Sequence, residues 1–313
     1  MKSKNERYQK LIDRCRKLPP TPTAVAHPCD ESSLQGAVDA AKMGLIAPIL
    51  VGPKARIQAV AKEFRINIAK LSIVDAEHSH ASAEKAVQLV REGKAEALMK
   101  GSLHTDELMA AVVRRDTGLR TARRISHCFV LSVPGHPEAL IITDAAVNIA
   151  PTLRDKVDIV QNAIDLAHAL GSNDVRVAIL SAMETVNPDV PSTIEAAALC
   201  KMADRGQITG AVLDGPLALD NAISLQAARI KKIDSPVAGR ANVLVVPDLE
   251  AGNMLAKSLT FLARADAAGI VVGAKVPIIL TSRADSRVAR LASCAVASLL
   301  AEARRTSTRR AVG

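Results

Sequence analysis

The chain is nearly devoid of aromatic residues. Among 313 residues it has no tryptophan, one tyrosine and three phenylalanines. Unpaired bases stack on aromatic side chains, so this scarcity argues against binding of single-stranded nucleic acid. Hydrophobic residues nevertheless make up 49% of the sequence. We therefore expect an aliphatic core of alanine, valine, isoleucine and leucine, which suits the buried parallel strands of α/β proteins.

The cysteines and the apolar runs indicate the cellular compartment of the protein. The five cysteines are odd in number, widely spaced and never arranged as CxxC, which is typical of a reduced intracellular protein. The charged segment 1–17 does not fit a signal peptide. No apolar run approaches the roughly 20 residues that span a bilayer. We predict a cytoplasmic protein with neither a membrane nor a nucleic acid as its partner.

Several familiar catalytic motifs are missing. The sequence has no GxxxxGK[ST] loop, no GxGxxG at the start of a helix and no GxSxG elbow. These absences argue against a P-loop nucleotide site and a serine hydrolase. His78 and His80 are two residues apart and have no obvious third ligand, so we predict no metal site.

The net charge of +9 is concentrated near the two ends of the chain. Residues 1–17 and 304–310 are both rich in lysine and arginine. Such clusters are either solvated ends without a function or a means of attracting an anionic ligand.

Apolar runs of strand length alternate with helical patterns along the whole chain. This alternation predicts an α/β fold with mainly parallel sheets covered by helices. The stretch 128–143 differs, because Pro134-Gly135-His136-Pro137 joins two strand-like runs as in a hairpin. We predict strands near 47–51, 71–74, 96–99, 128–133, 139–143, 175–180, 210–213, 243–246, 270–272 and 277–281. We predict helices near 4–17, 32–43, 55–64, 80–93, 105–115, 152–170, 192–204, 251–265 and 286–304.

Polar side chains follow several of the predicted strands. In an open α/β sheet, ligands gather at the carboxyl ends of the strands, so these residues are candidates for substrate binding. Each also has an ordinary explanation as a helix cap or a turn residue, and the sequence leaves both open. The candidates are Lys100, Ser102, Thr105, Asp144, Asn148, Asp214, Asn221, Asp248 and Asn253.

The segment 277–286 combines the features expected of a catalytic loop. An apolar, β-branched run ends in Thr281-Ser282-Arg283-Ala284-Asp285-Ser286, and an amphipathic helix follows. Ser282, Arg283 and Asp285 supply a hydroxyl, a permanent cation and a carboxylate. A helix N-terminus also favours bound anions.

Four motifs in order resemble those of the phosphate acetyltransferase and phosphate butyryltransferase family. They are Met99–Thr105 (MKGSLHT), Asp214–Ser224 (DGPLALDNAIS), Val246–Asn253 (VPDLEAGN) and Thr281–Ser286 (TSRADS). The likeness runs from about Ala24 to Leu300. It is especially similar to the transferase half of bifunctional proteins that carry an enoyl-CoA hydratase domain.

The resemblance implies a fold and a reaction. The fold is two α/β/α domains with an interdomain cleft, isocitrate/isopropylmalate dehydrogenase-like, usually in a homodimer. The expected domains are 1–147, joined by the C-terminal segment 270–313, and 148–269. The reaction is reversible transfer of an acetyl or butyryl group between coenzyme A and inorganic phosphate, with no tightly bound cofactor. An acyl-phosphate kinase is the metabolic neighbour that the family implies.

The resemblance also suggests catalytic roles. By this resemblance, Arg283 matches a residue that binds the negative charge of phosphate or pyrophosphate. Ser282 matches a residue that donates a hydrogen bond to the reacting carbonyl or sulfur. Acetyl-type members carry an acidic residue, proposed as the thiol base, seven positions after the serine, where this chain has Ala289. Asp285 is then either the base or a helix cap. TSRADS is the butyryl-like form of the motif, but it does not decide the acyl chain length.

Two other functions fit a similar architecture. A decarboxylating dehydrogenase would need a divalent metal held by clustered carboxylates and a nicotinamide site, and the sequence shows no tight acidic cluster. A non-catalytic regulator that binds coenzyme A would be favoured by loss of Ser282 or Arg283, and both are present.

Overall fold

The computed structural model describes residues 6–281 and 285–312, and in this part the chain is a mixed α/β protein. It divides into two compact units, Met1–Arg123 with Ala268–Gly313, and Arg124–Ala267. Element labels follow chain order. No helix within the described ranges is both long and apolar enough to cross a membrane.

The first unit is a mainly parallel sheet with helices. Its strand order is β3-β2-β1-β4-β11-β10, and only the β10–β11 pairing in this order is antiparallel. The strands are β1 (Thr21–Ala26), β2 (Ile46–Gly52), β3 (Ser72–Asp75), β4 (Ala97–Lys100), β10 (Asp266–Val272) and β11 (Ile278–Ile279). The helices are α1 (Glu6–Cys15), α2 (Glu31–Lys42), α3 (Lys54–Glu63), α4 (Ser79–Arg91), α5 (Thr105–Val112) and α11 (Arg287–Val312).

The second unit has the strand order β5-β6-β9-β7-β8. The β5–β6 pair is antiparallel, which confirms the hairpin predicted over 128–143, and the other three pairings are parallel. The strands are β5 (Ser126–Ser132), β6 (Leu140–Thr143), β7 (Arg176–Leu180), β8 (Val212–Leu217) and β9 (Val243–Val245). The helices are α6 (Leu153–Ala169), α7 (Pro191–Asp204), α8 (Leu219–Ile223), α9 (Leu225–Ile230) and α10 (Leu249–Phe261).

The core is aliphatic, as the composition predicts. Central strands such as β4 and β9 are buried along their whole length, as expected for strands covered on both faces. Of the four aromatic residues, Tyr8 is buried, whereas Phe64 and Phe261 are exposed. The fold therefore rests on the close packing of branched side chains rather than on aromatic clusters.

The sequence patterns missed strand β1. Ala24, Val25 and Ala26 are fully buried, and β1 pairs with β2 on one side and β4 on the other. The pattern was weak because Pro22 lacks an N–H group, two threonines interrupt the apolar run, and alanine is a poor strand former. The expected strand at 210–213 was also too short, since β8 continues to Leu217.

Candidate active site

The carboxyl ends of three neighbouring strands lie together in the first unit. β4 pairs in parallel with β1 on one side and with β11 on the other, and Met99 is the partner of both Val25 and Ile279. The residues that follow these strands therefore leave the same end of the sheet. Lys100 and Ser102 come from β4, His27 from β1, and the TSRADS segment from β11.

Ser102 joins two of these strand ends. Its hydroxyl donates to the carbonyl oxygen of His27 at 2.8 Å, and it accepts from the backbone N–H of Cys29 at 3.3 Å. Gly101 allows the chains to approach this closely, since a Cβ there would lie 2.3 Å from the carbonyl oxygen of Ala26. The hydroxyl predicted to bind substrate thus also builds the loop beside it.

Lys100 and Thr105 flank this turn. Lys100 is buried, and its ammonium group donates to the carbonyl oxygen of Gly101 at 3.3 Å. Thr105 is the exposed first residue of α5, and the carboxylate of Glu107 accepts from the backbone N–H of His104 at 3.1 Å. A buried cation therefore lies next to the start of a helix, a combination that suits an anionic ligand.

His27 is a polar residue at this end of the sheet that sequence reasoning missed. The hydroxyl of Ser82 donates to the carbonyl oxygen of His78 at 2.7 Å, so the His27 Nδ1 atom, 3.0 Å away, is the donor in its contact with Ser82. Burial, assisted by the charge of Arg56, lowers the pKa of His27 and favours the neutral ring. His27 has a left-handed backbone with φ of 55°, which no local pattern revealed.

The TSRADS segment is only partly within the described residues. Ser282 and Arg283 lie outside them, whereas Asp285 and Ser286 are described. The hydroxyl of Ser286 accepts from the backbone N–H of Ala289 at 3.2 Å and so caps α11. This contact assigns the predicted capping role to Ser286. The backbone carbonyl of Asp285 accepts from Arg290 Nη1 at 2.8 Å.

In the second unit, Asp144 organises the loop after β6. Its carboxylate accepts from the backbone N–H groups of Ala146, Val147 and Asn148 at 3.0 to 3.1 Å. The side chain of Asn148 donates to Asp144 at 2.5 Å and accepts from Arg124 Nε at 2.7 Å. Both predicted residues are buried, and the bonds they make hold the loop.

Asp248 and Asn253 meet the same loop from α10. Asp248 accepts from the backbone N–H of Ala251 at 2.8 Å and is the N-terminal cap of α10, while Asn253 donates to the carbonyl oxygen of Ala145 at 3.2 Å. Since β6 and β9 are parallel neighbours, Asp144, Asn148, Asp248 and Asn253 gather at one end of this sheet.

Asp214 and Asn221 belong to the far side of the second unit. Asp214 lies inside β8 rather than in an exposed bend after a strand, and its carboxylate accepts from the backbone N–H of Gly215 at 2.8 Å. Asn221 is fully buried in α8 and donates to Glu184, whose carboxylate also binds Lys231 at 2.7 Å. The Asn221 Oδ1 atom is buried and has no hydrogen-bond partner in the part of the chain that the structure describes.

The cysteines offer no activated nucleophile. Burial raises the pKa of Cys15 and Cys29 to about 11 and that of Cys128, Cys200 and Cys294 to about 12. Such thiols stay protonated near neutral pH and are poor nucleophiles. Within the described residues, no group of three or more histidine, cysteine, aspartate or glutamate side chains could hold a metal ion.

A mainly parallel α/β fold with cations and hydroxyls at its strand ends defines a class of enzymes that bind anionic substrates. The family model described as phosphate acetyl/butaryl transferase matches residues 81–298. The chain belongs to this family and is a phosphate acyltransferase. The family membership does not favour a dehydrogenase or a non-catalytic regulator.

The relatives span nearly the whole chain. A phosphate acetyltransferase of Rhizobium meliloti is 66% identical over 301 residues, which cover 96% of this chain and 95% of the relative. A phosphate butyryltransferase of Clostridium beijerinckii is 41% identical over 96% of this chain and 98% of its own length. The crystal structure of a branched-chain phosphotransacylase from Enterococcus faecalis V583 is 32% identical, with a TM-score of 0.79, over 90% of this chain and 99% of that chain.

Proposed function

We propose that the enzyme transfers an acyl group reversibly between coenzyme A and inorganic phosphate by direct attack. A phosphate oxygen adds to the thioester carbonyl, the carbon–sulfur bond breaks, and the leaving sulfur takes up a proton. Direct attack is supported by the raised pKa of every cysteine thiol, which leaves no thiolate for an acyl-enzyme. Coenzyme A and phosphate are then substrates, and no tightly bound cofactor is needed.

The single observation that carries this proposal is the meeting of the β4 and β11 ends. The KGS turn and the TSRADS segment follow adjacent parallel strands whose pairing is fixed by Met99 and Ile279. Phosphate needs cations, and the developing oxyanion needs donors held in place. We propose that Arg283 and Lys100 bind the negatively charged phosphate or pyrophosphate group. Ser282 would donate a hydrogen bond to the reacting carbonyl or sulfur.

The remaining strand-end residues are proposed as substrate-binding groups or as supports for them. Ser102 and Thr105 belong to the β4 end of the first unit. Asp144, Asn148, Asp248 and Asn253 act through the loop that they build, and Asp214 and Asn221 belong to the β7–β8 side. The Oδ1 atom of buried Asn221 has no donor within residues 6–281 and 285–312, and this supports a binding role, because a buried acceptor without a donor is costly.

Asp285 is our proposed thiol base. The hydroxyl of Ser286 caps α11, which supports a role for Asp285 as the base. A base is needed because a simple thiol has a pKa well above neutral. In the reverse reaction this carboxylate would take the proton of coenzyme A.

We propose acetyl-CoA as the better substrate. The relative at 66% identity is named an acetyltransferase, and the one at 41% identity a butyryltransferase. The TSRADS motif pointed to the butyryl-like branch, so the two indications differ. Overall identity compares nearly the whole chain, whereas the motif is one short segment.

The assembly and the cellular setting stay predictions. Met254, Phe261 and Leu262 on and after α10 are 63%, 75% and 84% exposed, which supports a homodimer that covers them. The dehydrogenase-like architecture is supported by the helices and parallel strands of each unit, and the domain bounds 1–147 plus 270–313 and 148–269 stay predictions. A cytoplasmic location and an acyl-phosphate kinase as metabolic neighbour complete the proposal.

The test measures release of free coenzyme A thiol from acetyl-CoA and butyryl-CoA, with and without phosphate. Wild type should show phosphate-dependent release, faster with acetyl-CoA, and Arg283→Ala should lose about 100-fold or more. Exposed Arg205 at the end of α7 supplies the control, and Arg205→Ala should match wild type. No phosphate-dependent release by folded wild type would refute the proposed function, and equal loss in both variants would refute the role of Arg283.

A further inference from the structure

Arg290 contacts the end of the TSRADS segment from within α11. Its Nη1 atom donates to the backbone carbonyl of Asp285 at 2.8 Å and to the hydroxyl of Ser32 in α2 at 3.1 Å. One guanidinium nitrogen therefore connects Asp285, near the end of the segment, to helix α2. In the sequence, Asp285 comes two positions after Arg283, one of the proposed catalytic residues, and the segment begins after β11, which is paired with β4.

The side chain of Arg290 packs closely against helix α2. Position 36 in α2 is a glycine, and a Cβ there would lie 3.3 Å from Cδ and 3.5 Å from Nε of Arg290. Its Nε atom is buried and has no hydrogen-bond partner among the described residues. The guanidinium also makes no ion pair with any carboxylate in the described part of the chain. The guanidinium is therefore held by hydrogen bonds to a backbone carbonyl and a hydroxyl rather than by an ion pair.

Arg287 provides the contrast. It lies one turn earlier in α11, and it too reaches α2, where its Nε atom binds the carboxylate of Asp39 at 2.5 Å. The Arg287 side chain is 67% exposed, and its charge is neutralised by Asp39. The two arginines thus share a helix and a neighbouring helix, but among the described contacts it is Arg290 that binds the backbone carbonyl of Asp285.

We propose that Arg290 is a positioning residue for acyl transfer, which places Asp285, the proposed thiol base, by holding its backbone carbonyl. This inference rests on the proposed function. Reacting groups must be placed closely, and a shift of about 1 Å in a group remote from the chemistry can cost on the order of 100-fold in rate. A rigid guanidinium that bridges two helices is suited to fix such a placement.

The experiment compares Arg290→Ala with Arg287→Ala in phosphate-dependent release of coenzyme A. We expect kcat of Arg290→Ala to fall at least about 10-fold, with KM for acyl-CoA within about 3-fold of wild type, whereas Arg287→Ala keeps kcat within about 3-fold. Ethylguanidinium added to the assay should restore several-fold activity to Arg290→Ala and none to Arg287→Ala. A purely structural role would not produce this rescue.

Two further variants guard against a folding defect. Arg290→Lys keeps the charge and loses the planar fork, so it should retain a several-fold loss in kcat at unchanged melting temperature. Ser32→Ala removes one partner of Arg290 and should have a smaller effect. Equal loss in Arg290→Ala and Arg287→Ala, failure of the rescue, or full activity of Arg290→Lys would overturn the inference. Inactive wild type would instead refute the proposed function.

Discussion

The hydroxyl of Ser102 donates a hydrogen bond to the carbonyl oxygen of His27 across 2.8 Å and thereby fastens the end of β4 to the end of β1. The hydroxyl oxygen of Ser102 also accepts from the N–H of Cys29, so one side chain adds to the backbone hydrogen bonds that Cys29 and Ser102 donate to the carbonyl of His27. Backbone groups in such a loop need partners, because burial without them is costly. The residue two positions after Lys100 therefore shapes the candidate site.

Ser102→Ala should lower stability. The variant loses one donor and one acceptor to the 27–29 loop, so we expect the free energy of unfolding to fall by about 1 kcal/mol. Urea unfolding followed by circular dichroism measures this change. The control is Ser72→Ala in strand β3, where the serine is exposed and should contribute little. Equal unfolding free energies for the two variants would contradict the structural role of Ser102.

Gly101→Ala should be more damaging. A Cβ at this position would lie 2.3 Å from the carbonyl oxygen of Ala26 and 2.5 Å from that of His27, so backbone atoms must move. We expect a loss of about 3 kcal/mol in the free energy of unfolding, with a parallel loss of acyl transfer. Gly93→Ala is the control, because a Cβ there meets no atom within 4 Å and costs only about 1 kcal/mol of left-handed backbone strain. A Gly101→Ala variant as stable as Gly93→Ala would argue against close packing here.

Local patterns predicted those features that depend on local chemistry. Periodicity predicted the α/β alternation, and the hairpin was recognised from Pro134 and Gly135, because turn chemistry is written in a few residues. Strand β1 was missed since its burial comes from its two neighbouring strands and not from its own composition. Strand β8 was predicted to end before Asp214 for the same reason, whereas Asp214 lies inside it.

Long-range contacts in the site had no local signal. Arg290 and Ser32 are 258 residues apart in sequence, and Ser102 and His27 are 75 residues apart. Only the fold brings such pairs together, because their spacing has no period that belongs to a helix or a strand. Motif reasoning therefore found Asp144 and Asp248 as polar strand-end residues, but it could not tell that both organise backbone.

The buried ion pair between α6 and α7 should respond unequally to removal of its two members. The Lys156 side chain is 5% exposed and its partner Glu195 is 26% exposed. Glu195→Ala leaves a buried ammonium group unpaired and should cost about 3 kcal/mol of unfolding free energy. Lys156→Met leaves a carboxylate that can reach water and should cost about 1 kcal/mol. Urea unfolding of both variants and of the double variant checks this order, and the reverse order would contradict the burial difference.

His127 should make the protein less stable in mild acid. Its ring is buried against Phe129, with ring centroids 4.4 Å apart, and its Nδ1 atom finds no hydrogen-bond partner among the residues described. Burial lowers the pKa of His127 from 6.5 to about 4, although the charge of Asp144 acts in the opposite direction. The unfolded chain therefore binds a proton that the folded protein does not, so stability is full above pH 6.5 and falls toward pH 4. The loss of unfolding free energy amounts to about 3 kcal/mol over this window.

His127→Phe should flatten the dependence of unfolding free energy on pH, whereas His80→Gln at an exposed position should leave it as in wild type. An unchanged slope in His127→Phe would show that other groups carry the acid sensitivity.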